Sequence, residues 1–542
     1  MSQNPSRAPE TTAAKLAAEV PTAATSAQHG HDGLEQRIAR GVSGSFIVSV
    51  TTAPFGYLTS LILARISPEA VGAYSIMGIY LGVVSGILYF GGGTVTIRFL
   101  PALPKERRFS FLGSYFLFTL SVVVIASVCL ASYPQAIKFL IGREVDVHIA
   151  LLLLWLSPLP LLFFSALAAL KGLMKVTQAQ SLMRATTVGA CLIYAYFWLG
   201  HRDLFRQAPG HVIFISYLVL MLIISVIGLY ALWKEVLPAK ERWSWYLPAG
   251  FWGFTLGVQG ASTLGMLHMK LDQILVLRQL NVSLLGTFFV ALQIAEITVL
   301  MSMFFVEGVL PGVTNMVAAR RLDKIPGLYQ GVGRHMVLVM TGLTCFLLAF
   351  ARPILELFGK QYTAAYPILL VLVVVNGLDA LTWLNAMLIS GLGKPNYWTA
   401  AQIVRIVAFV ALFGWLTNRY GLLGAALARG VAWILAEIFG FYIVLKRLGV
   451  ALRIPRQFYL STAIMLSLGA LQLWGLTTNL FYLALLFLVS VAVLFGFGGY
   501  HWRDLNMQVD ISSAEVPARA RGALQEPGVA AAEHSRAYEP KG

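Results

Sequence analysis

The sequence predicts an all-α polytopic membrane protein of about 14 transmembrane helices: two six-helix lobes in a parallel pseudo-two-fold repeat, plus two extra C-terminal helices. Three observations lead there. Fourteen apolar stretches, each about long enough to cross a bilayer, fill nearly everything between Gly41 and Tyr500. Basic residues alternate between the connecting loops with a strong bias to one side. A faint internal duplication relates the helices in two sets of six.

The spans are 43–65, 71–97, 109–133, 149–170, 179–200, 211–233, 250–276, 284–310, 333–351, 366–389, 396–416, 420–446, 457–476 and 480–500. In lipid each segment must satisfy its own backbone groups, so these are helices. They are too long and too evenly apolar for the alternating strands of a membrane barrel. Composition agrees: 58% of the 542 residues are hydrophobic and 12% charged, with a mean hydropathy of +0.74. Short connections leave no room for a folded soluble catalytic domain.

Around the spans, residues 1–36 and 506–542 are rich in small and polar residues and read as disordered tails. The N-terminal lobe is expected over 37–242, the C-terminal lobe over 243–449, and the extra pair over 450–505. No apolar h-region follows a basic start, so no cleaved signal peptide is expected. The net charge of +16 is explained by placement rather than by nucleic acid. Loops on the side of both tails carry 18 Lys and Arg, against 9 on the opposite side. Basic loops mark the cytoplasm, which puts both termini there and makes the helix count even. The three cysteines fall in separate spans, so neither a disulfide framework nor a thiolate metal site is expected.

The duplication rests on two matches. Gly172-Leu173-Met174-Lys175 after the fourth span pairs with Gly391-Leu392-Gly393-Lys394 after the tenth, 219 residues on. Arg65 before Gly72-Ala73-Tyr74 pairs with Arg278 before Gly286-Thr287-Phe288, and here the offset of the glycines is 214. Six helices return the chain to its starting side, so the halves share one orientation. Transporters built this way rock one half against the other around a central cavity.

Charges inside spans identify candidate functional residues, since each costs about 2.5–3.5 kcal/mol at a helix centre. The first half has none near mid-span; Arg98 and Arg184 stand at its cytoplasmic ends. The second half has Lys270, Asp272, Glu296, Asp379, Arg405, Arg429 and Glu437. Facing lipid, the five most central would cost roughly 12–18 kcal/mol together, so they face protein or a hydrated cavity. Periodicity puts Gln259, Thr263 and Lys270 on one face of the seventh helix, with Asp272 pointing elsewhere. Two roles stay open. One is internal neutralisation, such as Asp379 with Arg405 or Arg429 with Glu437. The other is transport, with Lys270, Arg405 and Arg429 holding an anionic headgroup while Glu296, Asp379 or Glu437 binds a coupling proton or sodium ion. Arginine suits phosphate because its planar fork makes paired hydrogen bonds. Gly91-Gly92-Gly93 marks a hinge or kink in the second span, and Pro158 and Pro160 a kink in the fourth.

The stretch Leu63-Ala64-Arg65-Ile66-Ser67-Pro68-Glu69-Ala70-Val71-Gly72-Ala73-Tyr74, with Ile97-Arg98-Phe99-Leu100-Pro101 at the far end of the second span, resembles the polysaccharide transporter family. Met269-Lys270-Leu271-Asp272-Gln273-Ile274 looks like that family's Lys-Ser-Asp-Gln-Ile signature, with Leu271 in place of a small polar residue. Tyr420-Gly421-Leu422-Leu423-Gly424-Ala425-Ala426 is similar to the start of its twelfth helix. The resemblance implies the multidrug/oligosaccharidyl-lipid/polysaccharide exporter superfamily, whose members include O-antigen and exopolysaccharide flippases. It implies a polyprenyl-pyrophosphate-linked glycan as cargo, a bacterial inner membrane, and a polymerase and glycosyltransferases as working partners. It also gives helices 13 and 14 a purpose, since in some relatives the last pair forms a groove for the polyprenyl tail. Lys270, Asp272 and Arg98 become positions of interest through it. The sequence holds no Gly-x-x-x-x-Gly-Lys-Ser/Thr loop, no metal-ligand motif and no catalytic carboxylate pair, and no cofactor is expected. Two other readings remain: a drug or cation antiporter of the same superfamily, and a membrane glycan polymerase or ligase.

Overall fold

A computed structural model of the chain describes residues 28–498, apart from 134, 136–146, 174, 237–241, most of 307–324, 393–394, 448–455 and 475–478. The described residues are helical, with no strand among them. Helix α1 (Gln28–Ile66) begins inside the segment expected to be a disordered tail up to residue 36. It is followed by α2 (Pro68–Val83), a π turn (Val84–Leu88) and α3 (Gly92–Ala102), which together make the second span. Next come α4 (Lys105–Ser132), α5 (Val147–Leu156), α6 (Pro158–Gly172), α7 (Val176–Gly200), the short α8 (Arg202–Gln207) and α9 (Pro209–Val236). The second half holds α10 (Phe251–Gln279), α11 (Val282–Val306), α12 (Ile325–Ala349), α13 (Ala351–Phe358), α14 (Tyr366–Gly391), α15 (Pro395–Tyr420) and α16 (Leu422–Arg447). The extra pair is α17 (Arg456–Leu473) and α18 (Leu480–Gly498).

Eleven continuous helical stretches among the described residues are long and apolar enough to cross a membrane, among them α2 with its π turn and α5 joined to α6. The three expected spans outside that set are α10, which is long enough but carries polar and charged residues through its length, and α17 and α18, which are shorter apolar helices. The protein is therefore a multi-pass membrane protein. Below, the face bearing the Lys- and Arg-rich loops is called the basic face and the other the far face.

The Ser-Pro-Glu motif builds the start of α2. Ser67 is extended and its hydroxyl accepts the Ala70 N–H at 3.1 Å, Pro68 occupies the first turn, and Glu69 meets the positive end of the helix dipole. The second span, expected as one helix over 71–97, is broken. Gly91 and Gly92 take φ +80° and +61°, which glycine adopts without steric cost. Backbone groups freed inside a membrane need partners, and three side chains supply them. Tyr115 Oη lies 2.7 Å from the Phe90 carbonyl and 2.9 Å from that of Gly92. Gln259 Oε1 accepts the Gly91 N–H at 2.7 Å, while its Nε2 donates to the Gly86 and Ile87 carbonyls at 3.3 and 3.2 Å. Thr263 Oγ1 donates to the Gly86 carbonyl at 3.2 Å. The fourth span breaks at Ser157–Pro158, where its prolines lie.

Helix α1 packs along α7, α15 along α16, and α11 against α14 and, across the halves, against α2. One apolar core lies among the first six spans and reaches Phe251 of α10, and a second belongs to the later ones. A third joins them towards the far face, from Leu63 and Val71 to Phe288, Leu292 and Leu369. There the duplicated glycines meet. A Cβ on Gly286 would stand 2.0 Å from the Pro68 carbonyl oxygen and 2.9 Å from Gly72 N, and one on Gly72 2.2 Å from the Val282 carbonyl oxygen. No side chain fits, so the two helices touch backbone to backbone at this end.

Candidate functional site: a charged cavity beside an apolar groove

On the basic side of that contact the helices part around a cavity of about 530 Å³. Tyr57 of α1, Glu296 and Leu300 of α11, His268 of α10, Asp379 and Trp383 of α14, Trp398 and Gln402 of α15, and Arg429 of α16 line it. Helical spacing explains the convergence: Leu264 and His268, Asp379 and Trp383, and Glu296 and Leu300 are each i, i+4 pairs presenting one face. A void of about 20 Å³ adjoins it between Asp272, Arg405, Arg429 and His268, enough for one water molecule.

Two ion pairs brace the walls. Arg405 forks onto Asp379, Nη1 lying 3.4 Å from both carboxylate oxygens and Nη2 3.3 Å from Oδ2, with both residues buried. This is one of the pairs the sequence suggested. Arg429 donates to Asp272 Oδ2 across α16 and α10. The alternative suggested for Arg429, Glu437, lies two turns further along its own helix, half-buried and beside Tyr329. Asp272 does point away from the Gln259 face, as its register requires; what it points at is Arg429.

The remaining candidates fall in three places. Glu296 lines the cavity, with Arg429, Lys270 and Asp272 as its electrostatic neighbours. Lys270 lies over the glycines of α2, its Nζ 3.7 Å from where a Cβ of Gly78 would stand and its Cγ 3.3 Å from that of Gly82. It thus sits at the seam between the halves. Arg98 is exposed near the basic face, its guanidinium 4.2 Å over the Phe254 ring, and lines neither cavity nor groove. Three groups that the sequence reading left aside contribute most to the cavity's character: His268, Trp383 and Trp398. His268 Nδ1, Gln402 Oε1 and Arg429 Nε are buried without a hydrogen-bond partner among the described residues. Buried polar atoms are normally bonded, so these mark where water or a polar ligand completes the wall.

Against the cavity lies a second space of a different kind, an apolar groove of about 620 Å³. It runs along α1 from Ser49 to Leu61 and is walled by α11, α12 and α13, including Ile297, Phe346 and Phe358. Tyr57 and Leu300 belong to both spaces, so a two-residue partition separates them. Among the described residues that line this groove, none comes from α17 or α18. Phe487 of α18 instead backs the groove residue Phe346, ring centroids 5.9 Å apart.

Charged and aromatic side chains thus meet inside a helical transmembrane scaffold. The chain has the fold of solved transporters over most of its length. It covers 99% of the lipid II flippase MurJ in an inward closed conformation, with 85% of this chain included, a TM-score of 0.66 and 14% identity. It covers 99% of an inward-facing multidrug resistance MATE family transporter of the MOP superfamily, with 75% of this chain, a TM-score of 0.59 and 15% identity. Among sequences, it is 22% identical over 442 residues to an uncharacterised membrane protein of Methanocaldococcus jannaschii, covering 76% of this chain and 85% of the relative. It is also 22% identical over 404 residues to the succinoglycan biosynthesis transport protein ExoT of Rhizobium meliloti, covering 73% and 77%. No family model matches the chain.

Proposed function

We propose that the protein is a flippase, moving a polyprenyl-pyrophosphate-linked oligosaccharide across a bacterial inner membrane by alternating access for exopolysaccharide or O-antigen synthesis. One observation carries the reading: a charged, incompletely bonded cavity shares the Tyr57–Leu300 wall with an apolar groove. A cargo with a polar head and a long apolar tail suits both spaces at once. A hydroxyl-rich, charged head crosses inside the cavity and is spared transfer into hydrocarbon, the step that blocks unassisted flipping. Trp383, Trp398 and Tyr57 offer aromatic faces to the apolar sides of sugar rings, and Glu296, Asp379 and Gln402 offer acceptors to their hydroxyls. The lipid II flippase and the succinoglycan transport protein among the similar proteins support a cargo of this class.

In this reading the lobes are 37–242 and 243–449, with 450–505 as the extra pair, the basic face is cytoplasmic, and glycosyltransferases and a polymerase act before and after transport. Arg429 holds the anionic head and Glu296 is the coupling carboxylate. The far-face contact of Gly72 with α11 makes the conformation described here closed to the outside. Deletion of the gene followed by analysis of lipid-linked intermediates tests the proposal. Finished oligosaccharide accumulating on the cytoplasmic leaflet supports it; unfinished oligosaccharide indicates an enzyme and refutes it. The likeness to a multidrug transporter and the acid in the cavity favour one second reading, a cation antiporter. Export of cationic drugs by proteoliposomes, with no flipping of lipid-linked glycan, would establish that instead.

A further inference from the structure

Arg184 belongs to neither ion pair nor cavity, yet it is the one charged residue among the described groove-lining residues. It stands eight residues into α7, about 12 Å along the axis from the helix's basic-face end. Two contacts with α1 fix its level. Gln180 Nε2, one turn earlier, donates to Ser49 Oγ at 2.9 Å, and Thr187, about one turn later, lies against Gly56. Arg184 therefore faces the groove beside Ala53. Helical side chains lean toward the N-terminus, which for α7 is the basic face, so the guanidinium is directed back toward that face. Its Nε is buried without a hydrogen-bond partner among the described residues. A cation turned into an apolar groove inside a membrane is costly unless something anionic meets it.

The groove's dimensions complete the description of what meets it. From Ser49 to Leu61 it runs for twelve residues of α1, about 18 Å, slightly more than one leaflet's share, about 15 Å, of the hydrocarbon core. We infer that Arg184, with Ser49 and Gln180 beside it, is a loading seat for the phosphate of the cargo's lipid anchor, whose tail lies in the groove toward Phe358. The inference rests on the flippase reading and adds a station to it: the phosphate docks at Arg184 from the basic-face leaflet before the head passes the Tyr57–Leu300 partition. The cargo's own anchor is the occupant, because a headgroup attached at this phosphate is delivered directly to the charged cavity, whereas a bulk phospholipid would gain nothing from that wall.

The test is binding to the intact protein in nanodiscs, measured by native mass spectrometry with three probes: polyprenyl pyrophosphate, the unphosphorylated polyprenol, and phosphatidylglycerol. Arg184→Ala and Arg184→Gln should each weaken polyprenyl pyrophosphate binding by about tenfold or more, the loss expected when a charge-assisted hydrogen bond is removed, and leave polyprenol binding unchanged. Arg184→Lys should restore part of it, and Ala53→Phe, which narrows the groove, should weaken both polyprenyl probes. Unchanged pyrophosphate binding in both neutral variants overturns the seat, as does equal competition by phosphatidylglycerol. The two readings fail separately. Binding that depends on Arg184 without any flipping of a glycan sinks the flippase and keeps the seat; flipping indifferent to Arg184 sinks the seat and keeps the flippase.

Discussion

The Asp272–Arg429 pair makes a quantitative demand on the protein. The two side chains are 4% and 12% exposed, so the pair lies in protein rather than in water, where such contacts are worth about 0–1 kcal/mol. Removing one partner leaves the other charge buried and uncompensated, at about 3–5 kcal/mol. The surroundings make the two losses unequal. In Asp272→Asn, Arg429 still has Glu296 and Asp379 as electrostatic neighbours, so the cost should fall at the lower end, about 3 kcal/mol. In Arg429→Gln, Asp272 and Glu296 both lose their nearest cation, with only Lys270 remaining near Glu296, and the cost should approach the upper end, about 5 kcal/mol. The double variant removes both charges together and should cost well under the sum, with a coupling of about 2–3 kcal/mol. Equilibrium unfolding in bicelles, following tryptophan fluorescence, measures all four corners of the cycle. Additivity within about 0.5 kcal/mol would refute the pair, and a larger cost for Asp272→Asn than for Arg429→Gln would refute the assignment of Glu296 as Arg429's second neighbour.

Other perturbations address the remaining parts. Gly286→Ala, whose Cβ would stand 2.0 Å from the Pro68 carbonyl oxygen, should cost about 1–3 kcal/mol by overpacking and raise thiol labelling of Ser283→Cys from the far face; unchanged labelling would mean that this contact is not the seal. Gln259→Leu strips three bonds from the broken second span, at about 0.5–1.5 kcal/mol each, and should accelerate hydrogen exchange over residues 86–92, with Tyr115 still holding the Phe90 and Gly92 carbonyls. Trp383→Ala and Trp398→Ala should each lower glycan flipping about two- to tenfold through loss of a stacking face worth roughly 0.5–1.5 kcal/mol, without changing the binding of a polyprenol that lacks sugar. Glu296→Gln should abolish the response of flipping to an imposed proton or sodium gradient while the head still binds; a full response in that variant would remove Glu296 as the coupling group.

Legibility in the sequence followed the physics of each feature. The spans were readable because a bilayer imposes length and apolarity on consecutive residues, and the glycine run at 91–93 announced a break whose type and partners it did not specify. The duplicated Gly72 and Gly286 were readable as a repeat. That they meet each other follows only from the packing of α2 on α11. Arg405 with Asp379 was found by charge alone. Asp272 with Arg429 was not, since helix register says which way a residue points and never which helix lies opposite. Trp383, Trp398 and His268 carried no signal, because a membrane sequence is full of tryptophans at interfaces and a single histidine has no spacing to read. The groove was the least legible feature. It is made of mostly ordinary apolar residues on four helices, and Arg184, the one contribution of a fifth, looked like any basic residue near a helix end.

The central claim, that a glycan head crosses through the charged cavity while its lipid stays in the bilayer, is tested most directly in proteoliposomes. A fluorescent polyprenyl-pyrophosphate oligosaccharide is loaded in one leaflet, and its appearance in the other is followed with a membrane-impermeant glycosidase. The protein should move most of the substrate within the assay, and Arg429→Gln, assayed as the monodisperse fraction that survives its expected loss of about 5 kcal/mol, should abolish that movement. Equal flipping by intact protein and Arg429→Gln, or no flipping above protein-free vesicles, would contradict the account.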